Sequence, residues 1–196
     1  MNIFDTDEDR HVYLQLIKTH SAESGVEILA WCLMTNHVHF IAVPEEETSL
    51  AKAFGEAHRL YTRMKNFRLD VRGYLFQGRF ASCVLDEQHL IAAARYVEQN
   101  PVRAKMVRKA WDYQWSSARF HMGGNDPLVT DRTLLGLVKD WRELLEGEDE
   151  EADDKLRAGV KIGRPVGSES FIERVEAITG RDLGKGRPGR HPKTQK

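Results

Sequence analysis

Two histidines, a tyrosine and an asparagine carry the pattern in this chain that could do chemistry. His37 and His39 stand two residues apart in Leu33-Met34-Thr35-Asn36-His37-Val38-His39-Phe40-Ile41-Ala42-Val43. Side chains of a β-strand alternate between faces, so both imidazoles are expected on one face, about 7 Å apart, with Val38 and Phe40 on the other. Imidazoles so placed can share one metal ion, although a strand histidine is also often a hydrogen-bonded core residue. Two imidazoles do not complete a site; a third protein ligand and open positions for substrate oxygens are needed. Nitrogen and oxygen donors without thiolate suit Mg²⁺ or Mn²⁺, held partly by a phosphate that the ion polarises as a Lewis acid.

Tyr96 lies in Leu90-Ile91-Ala92-Ala93-Ala94-Arg95-Tyr96-Val97-Glu98-Gln99-Asn100, a helical pattern. A phenol titrates near pH ~10 and is a poor nucleophile without help from a metal or a base. Tyr96 and Asn100 are four residues apart and share a helix face, so a metal on the Asn100 amide oxygen would stand beside the phenol. Both residues also have plainer uses: Tyr96 as a core aromatic with a tethered hydroxyl, Asn100 as the cap of a helix opened by Pro101.

The elements that must position these residues read as follows. Asp5-Thr6-Asp7-Glu8-Asp9 supplies a cap and first-turn acids for a short helix. Residues 26–34 form an apolar strand, Thr35-Asn36 a tight turn, and 37–43 the second strand of a hairpin. Ser49 caps a helix over 49–67, residues 73–85 form a loop leading into a strand, and Asp86 caps a helix over 87–99. Pro101 opens a short helix reaching Val107, a further helix spans 131–145, and one amphipathic helix lies within 163–178. Hairpin strands with intervening helices indicate an α+β fold, with helices packed on one face of a mainly antiparallel sheet.

A formal net charge of −1 over 196 residues hides an asymmetry. Residues 140–154 hold nine acids against Arg142 alone, whereas 155–196 hold eleven Lys/Arg against four Asp/Glu. An acidic linker followed by a basic, polyanion-binding tail over 181–196 is expected. Between Ala57 and Arg79, basic residues alternate with Tyr61, Phe67, Tyr74 and Phe76, the composition of a groove that tracks phosphates and stacks bases. Candidate DNA contacts are Arg59, Arg63, Lys65 and Arg79, with a second patch at Arg103 and Lys105 just past the tyrosine helix. Cys32 and Cys83 read as free thiols of a reducing cytosol, and neither a leader nor a membrane span is legible.

The strings Trp31-Cys32-Leu33-Met34-Thr35-Asn36-His37-Val38-His39-Phe40, Leu75-Phe76-Gln77-Gly78-Arg79-Phe80, Tyr96-Val97-Glu98-Gln99-Asn100-Pro101-Val102-Arg103-Ala104 and Trp115-Ser116-Ser117-Ala118 resemble the REP-associated tyrosine transposases, IS200-like single-tyrosine relatives of the HUH endonucleases. The resemblance implies a ferredoxin-like core over 1–122, a helix and acidic linker over 123–154, and a small helical extension with a basic tail over 155–196. It implies His37 and His39 as ligands of Mg²⁺ or Mn²⁺, Asn100 as the third ligand with Gln99 as fallback, and Tyr96 as nucleophile. The expected activity is nicking and rejoining of single-stranded, hairpin-associated DNA in the bacterial cytoplasm, by a monomer or a homodimer; the alternative is a catalytically inactive protein that binds such DNA. Relatives usually open with one more strand beside the histidine strand, so an absent first strand is expected. A histidine-triad nucleotide hydrolase is excluded, because Ile41 stands where the third histidine belongs.

Overall fold

The structure, a computed structural model, describes residues 2–183. Helix α1 (Asp7–Glu23) opens with a reciprocal cap: Asp9 N–H donates to the Thr6 hydroxyl, and the Asp9 carboxylate accepts from the Thr6 N–H. Its buried side chains include Asp9, Tyr13, Ile17 and Ser21, one position in four. Polar members of this stripe hide it from an apolar count, which is why the helix is longer than the short one expected.

Strands β1 (Val26–Leu33) and β2 (Val38–Pro44) form an antiparallel hairpin. Met34 N–H donates to the His37 carbonyl at 2.9 Å and closes the turn on Thr35-Asn36. The second strand therefore starts one residue later than expected, and His37 is the residue that enters it. The register sets Cys32 opposite His39 and Trp31 opposite Phe40. Helix α2 (Ser49–Leu69) follows, ending where Asp70 takes a left-handed φ of 51°. Its N-cap is Thr48, one residue before the expected Ser49, whose hydroxyl instead accepts the Glu46 N–H.

Helix α3 (Glu87–Glu98) begins as expected at Asp86, whose carboxylate accepts from His89 N–H. Phe40 packs on Phe54 of α2 (5.1 Å between ring centres) and Tyr13 of α1 (6.5 Å). His39, the next residue on the strand and so on the opposite face, meets Tyr96 of α3. The hairpin is thus held between α1 and α2 on one side and α3 on the other. The far edge of β1 is lined by 115–117, through Leu33 N–H to Trp115 O (2.9 Å) and Ser117 N–H to Trp31 O (3.0 Å). The α+β class and antiparallel pairing agree with the sequence, with a sheet of two strands among the described residues.

Other expectations need correction. The strand expected before Asp86 is a single parallel bridge, Leu85 to Val166. The helix opened by Pro101 is one turn, α4 (Asn100–Arg103), after which Lys105 takes a φ of 56°. After the turn α5 (Ala118–His121), the helix expected over 131–145 is two, α6 (Thr133–Leu137) and α7 (Trp141–Glu146). Val138 is extended between them, and the Asp140 carboxylate restarts the helix by accepting from the N–H groups of Arg142 and Glu143. The acidic stretch is not an extended linker: Asp149 caps α8 (Glu150–Ile162), whose first turns carry the acids, favourable near a helix N-terminus. The division expected at 154/155 falls inside that helix. Ser168 caps α9 (Glu169–Thr179), the expected amphipathic helix. The basic tail from 184 onward lies outside the described residues. Both cysteines are free, and no helix among the described residues is long and apolar enough to cross a membrane.

Candidate active site

Helix α3 packs through small and apolar residues, Ala93, Ala94 and Val97, and leaves Tyr96 partly exposed. The rings of His37 and His39 are 4.8 Å apart, and that of His39 lies 5.9 Å from Tyr96, edge to face. Residues separated by more than fifty positions thus meet because hairpin register and helix packing agree.

The histidine pair is built for neutral imidazole. Burial pushes His39 down to about 4, helped by neighbouring His37 and Arg103, and burial also lowers His37. His37 Nδ1 bonds to the Asn36 amide oxygen at 2.7 Å, which leaves Nε2 as the lone-pair nitrogen. His39 Nε2 is buried with no hydrogen-bond partner, an orphan expected of an atom meant for a ligand. Among the described residues no group of three or more His, Cys, Asp or Glu is placed to hold a metal ion.

Asn100 follows Tyr96 by one turn. It is nearly buried, and its Nδ2 donates to the carbonyls of Tyr96 (3.0 Å) and Val97 (3.3 Å), closing the end of α3 and leaving Oδ1 as the acceptor end. Gln99 is turned toward the end of α7: its Nε2 donates to the carbonyls of Leu145 (2.7 Å) and Gly147 (2.8 Å). Arg103 stacks its guanidinium 4.1 Å from the Tyr96 ring centre.

The family model of the IS200-like transposases matches residues 1–100. The chain belongs to that family. Membership carries DNA transposition, with the endonuclease activity that transposition entails. No curated protein and no solved structure matches. The matched residues contain both histidines, Tyr96 and Asn100 of this transposase.

The candidate DNA contacts divide into available and committed groups. Arg63, Arg79 and Lys105 are exposed, and Arg59 is exposed while paired with Glu56. Lys65 is a correction: it is buried, bonded to the Ile3 carbonyl and paired with Asp5 at 2.9 Å, so it pins the N-terminal segment to α2 and offers nothing to DNA. Arg103 is shared between the Tyr96 carbonyl and Asp153 (3.2 Å). Of the aromatics, Phe76 stacks on His58 at 3.9 Å, whereas Phe67 and Tyr74 are 90% and 94% exposed.

Sequence reasoning missed one cluster. Glu98, fully buried, accepts from Ser117 Oγ, His121 Nδ1 (2.6 Å) and Trp141 Nε1 (2.9 Å), and His121 stacks on Trp141 at 4.2 Å. The available signal was an acid two residues past Tyr96 inside an otherwise apolar helix pattern.

Proposed function

We propose that this transposase nicks and rejoins single-stranded DNA beside a hairpin through a 5′-phosphotyrosine at Tyr96, as a REP-associated member of the HUH group acting in the cytoplasm. The observation that carries the reading is the placement of the Tyr96 ring 5.9 Å from that of His39, beside a histidine pair kept neutral by burial. The orphaned Nε2 of His39 and the hard amide oxygen of Asn100 suit Mg²⁺ or Mn²⁺ with His37 completing the set; such an ion would polarise the scissile phosphate. Tyr96 Oη forms a bond to phosphorus as the bond to the 3′ oxygen breaks. The phenol proton is lost, the 3′ oxygen gains one, and the 3′-hydroxyl so released reverses the step on rejoining. Exposed Phe67 and Tyr74, with Arg63 and Arg79 nearby in sequence, offer unpaired bases an aromatic surface and their phosphates a counter-charge.

The test is a denaturing gel of the purified protein with Mn²⁺ and labelled single strands from hairpins flanking its own gene. An adduct that survives SDS, needs the metal, and disappears in Tyr96→Phe while DNA binding persists is the expected result. A Tyr96→Phe protein that still forms the adduct overturns the nucleophile, and DNA binding without an adduct in the unsubstituted protein favours a binding protein that has lost catalysis.

A further inference from the structure

Beyond the residues matched by the family, helix α8 crosses the end of α3 and brings a second guanidinium to the tyrosine. Its docking is specific. Leu156 is buried, and Asp153, also buried, receives Arg95 (3.3 Å) and Arg103 (3.2 Å). A Cβ at Gly159 would stand 2.3 Å from a Val166 methyl, so the helix can come this close to the chain that follows it only with glycine there.

Arg157 lies next to Leu156 on this anchored helix. Its guanidinium carbon is 5.8 Å from the Tyr96 ring centre, and the neighbouring Tyr96 side chain raises the guanidinium above its ordinary range. The three arginines have different duties. Arg95 and Arg103 are buried or half-buried and each is paired with Asp153, which makes them part of the packing. Arg157 is half exposed, and its acidic partner Asp154 (2.7 Å) is a surface carboxylate three residues back along the helix, 73% exposed. A pair of that kind contributes little to stability. A planar fork with five donors can hold one oxygen and still present others.

We propose that Arg157 is a catalytic residue of this transposase: standing beside the Tyr96 ring, it holds an oxygen of the scissile phosphate once DNA is bound, which makes α8 part of the active site. The proposal rests on Tyr96 being the nucleophile. In the attack described above, negative charge grows on the phosphoryl oxygens as phosphorus becomes five-coordinate. A guanidinium beside the tyrosine opposes that growth without changing which bonds form or break.

The experiment is a single-turnover measurement of adduct formation with Mn²⁺ and the same labelled hairpin-flanked strands. It compares the full chain with Arg157→Ala, Arg157→Lys, Lys155→Ala and Tyr96→Phe. Arg157→Ala should slow adduct formation by about 10²-fold, with the DNA dissociation constant within about threefold and the melting temperature unchanged. Arg157→Lys should recover at least about tenfold of that loss, because it restores charge without the fork. Lys155→Ala, on the same helix and paired with Glu151, should keep the full rate. An Arg157→Ala rate within threefold of the unsubstituted protein overturns the proposal, as does a loss matched by equal losses in DNA affinity or melting temperature. Adduct formation by Tyr96→Phe, or none by the unsubstituted chain, overturns the nucleophile reading and this proposal with it, whereas a normal tyrosine dependence with an unaffected Arg157→Ala overturns this proposal alone.

Discussion

Helix α3 carries two ionisable residues two positions apart that meet opposite surroundings. Glu98 is fully buried and its carboxylate is saturated by a serine, a histidine and a tryptophan drawn from α5, α7 and the segment before α5. Tyr96 is partly exposed and lies among an unpartnered histidine nitrogen and two guanidinium groups. Both sites contain a histidine whose buried Nε2 has no partner, but the His121 ring is fixed by Glu98 and Trp141 inside the core, while His39 faces the partly exposed tyrosine. A buried carboxylate with three donors has recovered most of what it lost on leaving water, so it helps hold the fold together. A partly exposed cluster with an unpartnered imidazole nitrogen and a surface guanidinium is open to something that arrives later.

That contrast can be broken by substituting one residue on each side. Glu98→Ala leaves Ser117, His121 and Trp141 without their shared acceptor and opens a void. It should lower the unfolding free energy by about 3–5 kcal/mol in a denaturant titration, the largest effect expected here. Tyr96→Phe keeps the ring against His39 and Arg103 and should change stability by no more than about 0.5 kcal/mol while removing the adduct. A Glu98→Ala protein as stable as its parent would mean that the cluster does not bind α3 to the rest of the molecule.

A second comparison concerns aromatic residues. Phe67 and Tyr74 are exposed, whereas Phe76 is packed on His58 in the same stretch of sequence. Phe67→Ala and Tyr74→Ala should each weaken binding of single-stranded DNA by about 1–3 kcal/mol with no loss of melting temperature. Phe76→Ala should do the reverse, lowering the melting temperature first. Fluorescence anisotropy beside a thermal melt separates the two, and unchanged affinity in both Phe67→Ala and Tyr74→Ala would remove the stacking surface from the proposal.

What the sequence revealed follows from how local each signal is. The hairpin, the cap at Asp86 and the spacing of His37, His39, Tyr96 and Asn100 depend on alternation, turn chemistry and helix periodicity, all of which act over a few residues. Lys65 was misread because its burial depends on Ile3 and Asp5, some sixty positions away, and nothing around Lys65 announces them. The acidic stretch 140–154 was misread for a related reason. Charge density suggests solvation, but Asp140 and Asp149 are spent on helix starts and Asp153 on two arginines from other helices. The Glu98 cluster joins three elements across the fold, so no window of sequence contains it. The capacity of Arg157 to reach Tyr96 likewise depends on where α8 docks.

The smallest expected effect sharpens the same division through pH. His39 at the site and His58 in the core are both pushed down to about 4 by burial, His39 with help from His37 and Arg103. An unfolded histidine titrates near ~6.5, so between pH ~6.5 and ~4 the unfolded chain binds protons that the folded chain refuses. Stability is therefore fully present above that window and falls as pH descends through it, by about 1–2 kcal/mol for each histidine once partial exposure is allowed for. His39→Gln and His58→Gln should each flatten the fall of melting temperature across the window. His58→Gln keeps a partner for the Tyr13 hydroxyl, now bonded to His58 Nε2 at 2.9 Å. The two variants should then part company at pH 7 with added Mn²⁺: the rise in melting temperature that a bound ion brings should persist in His58→Gln and vanish in His39→Gln. Equal responses to Mn²⁺ would make the two histidines alike, and would reduce His39 to a packing residue.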